Sequence, residues 1–206
     1  PKIDGLLDEP FWETIPKMDE FTQQEPRIGE PASERTEVRI VYDNDAIYIG
    51  AKLYDRQKVI TRLGRRDMDR GDCDWFAAIF DSYHDHQSSY VFLVNPSGVQ
   101  RDAARTENNA DPSWDAVWES SAHIDEDGWT AELRIPFSQL RFSSQPEQTW
   151  GVQFERDITR RGEFAVFAFT PKSEQSGIHT YGHLSGLTGV TAGKRLEVLP
   201  YVVGKN

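Results

Sequence analysis

The chain has 206 residues, 34 acidic against 23 basic, and a formal net charge of −11. It therefore lacks the basic footprint that phosphates demand, and no nucleic acid is expected as a partner. No apolar run approaches the roughly 18 to 20 residues of a membrane helix, and a single cysteine, Cys73, excludes an internal disulfide.

The length suits one good core. The chain opens at Pro1 with neither methionine nor a signal-like segment and is expected to be a piece of a longer protein. Asp8, Glu9 and Pro10 read as a helix start, with Asp8 as N-cap and Pro10 in the first turn, where a missing N–H costs little. Phe11, Trp12 and Ile15 would then pack down on the core. Residues 22–35, with Pro26, Gly29 and Pro31, read as a surface loop.

Residues 36–42 and 46–55 form a predicted hairpin about the turn Asp43-Asn44-Asp45. Val38, Ile40 and Tyr42 alternate on one strand, and Ile47, Ile49, Ala51 and Leu53 on the other. The charged connection 56–72 mixes Arg62, Arg65, Arg66 and Arg70 with Asp67, Asp69 and Asp72 and reads as a solvated loop. Residues 74–81 are almost continuously apolar, as in a central strand, and Cys73 beside them reads as an inert core residue. Residues 89–95 and 98–103 make a further hairpin around Pro96-Ser97-Gly98, and 105–113 read as a polar loop.

The stretch 114–142 carries the clearest pattern. After the turn Asp125-Glu126-Asp127-Gly128, Trp129, Ala131, Leu133 and Ile135 share one face of a strand, and Thr130, Glu132 and Arg134 the other. Period-2 alternation of this kind predicts one buried and one wet face. Pro136 should end the strand, leaving Phe137, Leu140 and Phe142 to fold back as an apolar lid. In the preceding strand Val117 and Trp118 point to opposite faces, and with Val117 inward the Trp118 ring would lie on the outer surface. Trp150, Val152 and Phe154 alternate next, then Phe164, Val166 and Ala168.

Residues 172–181 are loop-like, before Gly-His-Leu-Ser-Gly-Leu closes the domain. Nine or ten short strands with no βαβ rhythm predict an all-β fold, an antiparallel immunoglobulin-like or jelly-roll β-sandwich with a short N-terminal helical turn. It should span residues 1–190, with 191–206 a linker and the start of a following β-rich region.

The order of short motifs resembles the carbohydrate-binding modules of family 9. Ile3-Asp4-Gly5 with Leu7-Asp8-Glu9 and Trp12 opens the set. Thr36-Glu37-Val38, Tyr42-Asp43, Ala46-Ile47-Tyr48, Asp74 to Asp81 and Tyr90-Val91-Phe92 follow. Gly128-Trp129, Glu132, Ile135-Pro136-Phe137, Trp150-Gly151 and Gly182-His183-Leu184 complete it. Asn95-Pro96-Ser97-Gly98, Arg101-Asp102, residues 114–119 and Leu140-Arg141-Phe142 resemble, more narrowly, the N-terminal module of large bacterial proteins. In those proteins an outer-membrane-type β-rich region follows, and residues 196–201 resemble the junction into it. The resemblance implies a β-sandwich, a periplasmic or outer-membrane location in a Gram-negative bacterium, sugar binding in the better-known members and calcium in some. Two tryptophans clamp the sugar in those members. Here the matching regions read Arg65-Arg66-Asp67-Met68 and Ser176 to Tyr181, without a tryptophan.

Tyr181 and His179 stand where the second platform should lie, and Arg66 and Asp74 could supply hydrogen bonds to a saccharide. Trp75, Trp114 and Trp118 are further aromatic candidates, whereas Trp12, Trp129 and Trp150 alternate with aliphatic residues and read as core. Calcium wants six to eight oxygens. Two clusters offer them: Asp67, Asp69 and Asp72 around Gly71, without EF-hand spacing, and the favoured set Asp102, Glu107, Asp111 and Asp115. His84 and His86 present two imidazoles at i, i+2 that would suit zinc, with no third ligand at a telling spacing. No nucleophile elbow, metalloprotease helix or phosphate loop is present, so the expected function is non-catalytic. A saccharide-binding module is the first expectation, and a structural module orienting the downstream β-rich region is the alternative.

Overall fold

A computed structural model describes residues 1–107 and 109–191. The junction motif at 196–201 and the start of the expected β-rich region lie outside the described residues. One short helix, α1 (Pro10–Thr14), precedes twelve strands: β1 (Thr22–Glu25), β2 (Thr36–Tyr42), β3 (Ala46–Tyr54), β4 (Trp75–Asp81), β5 (Ser88–Val94), β6 (Gln100–Thr106), β7 (Asn109–Asp111), β8 (Glu119–Asp125), β9 (Gly128–Pro136), β10 (Glu147–Ile158), β11 (Glu163–Val166) and β12 (Gly182–Thr188). They pair antiparallel in two sheets. One runs β2-β3-β9-β8. The other runs β1-β11-β10-β4-β5-β6-β7, with β12 also paired to the long strand β10. The expected β-sandwich is what forms.

The main core lies between the sheets. Ile47, Ile49, Ala51 and Leu53 of β3 and Trp129, Ala131, Leu133 and Ile135 of β9 face Phe76, Ala78, Phe80, Trp150, Val152 and Phe154. Leu53 pairs with Trp129 and Ile49 with Leu133, so a one-residue slip would turn every one of these side chains outward. Phe137 and Phe142 pack on Trp150 with ring centres 5.9 and 5.3 Å away. That is the apolar lid expected after Pro136.

Several expectations are corrected, each for a tertiary reason. Residues 22–35 are not loop throughout, because β1 adds to β11 as an edge strand. The polar stretch after Arg105 likewise contributes β7 to the edge of β6. Trp118 is 5% exposed in the core, against the Phe92 ring at 5.3 Å, and Val117 is 76% exposed. Residues 114–118 cross from one sheet to the other before β8 begins. Glu9 rather than Asp8 stands at the N-cap position of α1, without a side-chain capping bond, and its carboxylate accepts the Trp12 indole N–H at 3.0 Å. Trp12 packs with Ala46 and Tyr48 on the outer face of the smaller sheet, away from the main core.

That outer face is also where the expected wet side of β9 disappears. Glu132 is 0% exposed, and its Oε2 accepts the backbone N–H groups of Asp4 (3.0 Å) and Gly5 (2.8 Å). Thr130 donates its hydroxyl to the Gly5 carbonyl. Gly5 has φ +85°, and a Cβ there would meet the Ala122 carbonyl carbon at 2.9 Å. The opening Ile-Asp-Gly is thus a clasp, with glycine required by the close backbone approach. Burial pushes the Glu132 carboxyl up to about 7 from its ordinary 4.5.

The folded chain then holds a proton that the unfolded chain releases near pH 4.5, so stability is greatest below that value and is lost as pH rises towards about 7. The loss amounts to about 3 kcal/mol. Glu132→Gln keeps an acceptor for both N–H groups and cannot ionise. Urea unfolding at pH 4.5 and pH 8 should show this variant gaining on the parent only at the higher pH. Parallel pH profiles would remove Glu132 from this role.

Candidate functional site

The outer face of the larger sheet presents the alternate residues of the core strands. On β4 these are Trp75, Ala77 and Ile79, which cluster with Cys73, Leu93 and Val99. The charged connection 56–72 is not wholly solvated, because Ile60 and Met68 close over this cluster and Tyr181 joins it from the other side. Over β10 and β11 the face stays open as a cleft of about 680 Å³. Gln153, Glu155, Phe164, Val166 and Ala168 line its sheet side, Arg105 stands at the β6 side, and Gln24, Lys172 and Tyr181 complete its rim.

The cleft joins aromatic and planar polar groups. Gln153 donates to the Ala168 carbonyl at 2.7 Å and accepts the Ala168 N–H at 2.8 Å. Its amide plane is thereby fixed. Arg70 reaches Asp157 at 2.5 Å and Glu155 at 3.6 Å, and its guanidinium lies 5.7 Å from the Phe164 ring centre. Burial pushes the Glu155 carboxyl up, with Arg70 and Arg105 opposing. Burial also raises the Tyr181 phenol. The Tyr181 hydroxyl is buried, with the Ser89 side chain beside it.

Of the residues singled out from the sequence, Tyr181 lines this cleft. His179 is exposed in the turn before it, 3.9 Å from Glu107. The rest lie elsewhere. Arg66 is a strut that donates to Gln100, Asp102 and the Ala116 carbonyl, each at 2.7 Å. Asp74 is 2% exposed; its carboxylate accepts the backbone N–H groups of Ile60 and Thr159. Trp75 is 0% exposed. Trp114 packs on Tyr90 and Phe92, and Trp118 is in the core. The three tryptophans therefore offer no open platform within the cleft.

The expected calcium ligands do not converge as a set. Asp102 and Asp115 come together with Asp67, their carboxylate oxygens within 4.8 Å of one another. Glu107 faces His179, and Asp111 accepts from Ser113. The group of three already holds a cation: Arg66 lies 2.7 Å from Asp102 and 3.1 Å from Asp115. The other Asp102 oxygen accepts the Ala116 N–H at 2.6 Å. A hard dication needs six or more free oxygens, and these residues do not fit one.

Arg105, Gln153, Glu155 and Phe164 were missed in the sequence. A signal for two of them was present: Gln153 and Glu155 interleave with Val152 and Phe154, so strand alternation alone turns them away from the core. What alternation cannot supply is the strand order that brings β6 and the 167–181 segment to the same face.

A scan of protein-family models finds none that matches the chain, and a search of curated proteins finds no matching sequence. Solved structures do match. A family 9 carbohydrate-binding module from Caldicellulosiruptor kristjanssonii, in complex with cellotriose, superposes with TM-score 0.64 at 15% identity over 98% of this chain and 94% of that one. The same organism's module with glucose matches with TM-score 0.64 at 14% identity over 96% and 94%. A Bacteroides uniformis protein provisionally described as carbohydrate-binding matches with TM-score 0.65 at 14% identity over 84% and 87%. The chain has the fold of a family 9 carbohydrate-binding module.

Proposed function

We propose that this domain is a non-catalytic carbohydrate-binding module that holds a saccharide in the cleft over β10 and β11. The observation that carries the reading is the cleft itself. It has room for one or two sugar rings, a fixed amide at Gln153, charged donors and acceptors at Arg105 and Glu155, and ring surfaces at Phe164 and Tyr181. Sugars are recognised by this combination of apolar faces and planar polar groups, usually in a largely pre-formed site. Solved neighbours with the same fold carry cellotriose and glucose, which supports the ligand class. The absence of a tryptophan clamp makes this site more polar than two stacked indoles would be. The envelope location, and the pairing with a β-rich region downstream, rest on the sequence resemblance alone.

Calorimetric titration against mono- and oligosaccharides tests the reading. Saturable binding is expected, and Tyr181→Phe, which keeps the ring and removes only the hydroxyl, should weaken it at least tenfold. Arg105→Ala should weaken it further. Silence across the panel would transfer the assignment to a structural module.

A further inference from the structure

The chain has five histidines, and His183, far along the chain from the neighbouring pair His84 and His86, comes to lie beside His84. The His84 ring centre lies 4.5 Å from that of His86 and 4.9 Å from that of His183. His183 pairs with Gly151 on one side of β10, and Asp81 pairs with Gly151 on the other. His183 and Asp81 therefore face the same way, about two strand spacings or ~10 Å apart, with no side chain at Gly151 between them. A Cβ at Gly151 would meet the Asp81 Cβ at 2.9 Å.

The turn carrying His84 and His86 is held at this spot by Asp81. Its carboxylate accepts the backbone N–H groups of Asp85 and His86 at 3.2 and 2.9 Å. His84 and His86 both have left-handed backbone, φ +53° and +58°. That conformation is uncommon outside glycine, and it clusters where function over-determines the backbone. The His84 Nε2 is buried without a hydrogen-bond partner among the described residues. A buried imidazole nitrogen left unpaired is costly unless something else occupies its lone pair or takes its proton.

We propose that His84, His86 and His183 form a site for a divalent transition metal ion of the imidazole-preferring class, zinc above all. Two imidazoles on a tetrahedral zinc, with Zn–N of about 2.0–2.1 Å, place their ring centres about 5 Å apart. The two separations from His84 are close to that spacing; the ligand nitrogens are not gathered round one point in this structure, so binding requires the His86 and His183 side chains to rotate towards His84. Asp81 supplies the outer carboxylate that metal-bound histidines customarily face, its Oδ2 lying 3.7 Å from His86 Nδ1. Three histidines leave a fourth position for water or an external ligand. The third ligand is invisible in the sequence because His183 lies far along the chain from His84 and His86, and only the β12–β10–β4 pairing brings it there.

The test is calorimetric titration of zinc chloride into the tag-free protein, after removal of metal with chelator. One equivalent should bind and raise the melting temperature. His183→Ala alters an exposed side chain and should weaken binding at least tenfold, as should His84→Ala. His123→Ala and His179→Ala should leave it unchanged. Cobalt(II) in place of zinc should give the visible absorption of a four-coordinate, nitrogen-ligated ion, lost in His183→Ala. No saturable binding, or binding indifferent to His183→Ala, would overturn the site.

Discussion

Trp129→Ala is expected to lower the free energy of unfolding by about 3–5 kcal/mol, the full cost of emptying an indole-sized volume from the centre of a sandwich. The ring is 0% exposed. Its strand is hydrogen-bonded on both sides, with Trp129 opposite Leu53 on β3 and Ile124 on β8. Surrounding side chains held in paired strands can relax only partly into the gap, so transfer and cavity costs add. The indole N–H has no hydrogen-bond partner among the described residues, a small penalty that the native protein carries. Trp129→Phe removes that donor while retaining much of the ring, and should cost far less than alanine. Urea denaturation of both variants decides the matter. A near-neutral alanine variant would mean that the β9 face described above is not the core face.

The second large effect is expected at Arg156. It stands in the core-facing row of β10 after Trp150, Val152 and Phe154, and is 1% exposed. Its guanidinium crosses the end of the sandwich. Nη1 donates to the Arg35 carbonyl at 2.9 Å and the Thr36 hydroxyl at 2.8 Å, and Nη2 donates to the Tyr54 carbonyl at 2.6 Å. The two sheets are thus tied by one side chain. Burial pulls its pKa down to about 10, against the opposing charges of Asp55, Asp74, Glu34 and Glu163, so it remains cationic at neutral pH.

Arg156→Met would leave the Arg35 and Tyr54 carbonyls and the Thr36 hydroxyl without their donor and remove one cation from a cluster in which Glu34 and Asp55 also pair with Arg56, Arg160 and Arg161. The expected loss is about 3–5 kcal/mol, the usual consequence of removing one partner from a buried charged network. Arg156→Lys keeps the charge but not the planar fork and should fall between the two. A methionine variant as stable as the parent would show that the guanidinium merely fills space.

Much of this architecture is legible from residue order. The 36–42/46–54 hairpin, the apolar central strand β4 and the Trp129–Ile135 row all follow from period-2 alternation and turn chemistry, which are local properties of the chain. The motif order carries the fold further, even though identity to solved structures is only 14–15%. Local signals fail where a second layer intervenes. The alternation Thr130-Glu132-Arg134 predicts a wet face, yet Glu132 is sealed by residues 4 and 5, more than a hundred positions away. Trp118 and Val117 cannot be assigned inward or outward from their charged neighbours, because residues 114–118 pass between sheets where no alternation applies.

The candidate sites divide in the same way. Sequence alone determined that this is a β-sandwich whose motif order resembles that of saccharide-binding modules and that His84 and His86 stand two residues apart, and it singled out Tyr181, which lines the cleft. Only the tertiary structure decided that Arg66 is a strut, that Asp102 and Asp115 already hold a guanidinium, that Gln153, Glu155 and Arg105 share a cleft, and that His183 lies beside His84. Alternation specifies which face of a strand a residue occupies. Which strands lie side by side depends on pairings between segments far apart in the chain, and those pairings decide which side chains meet.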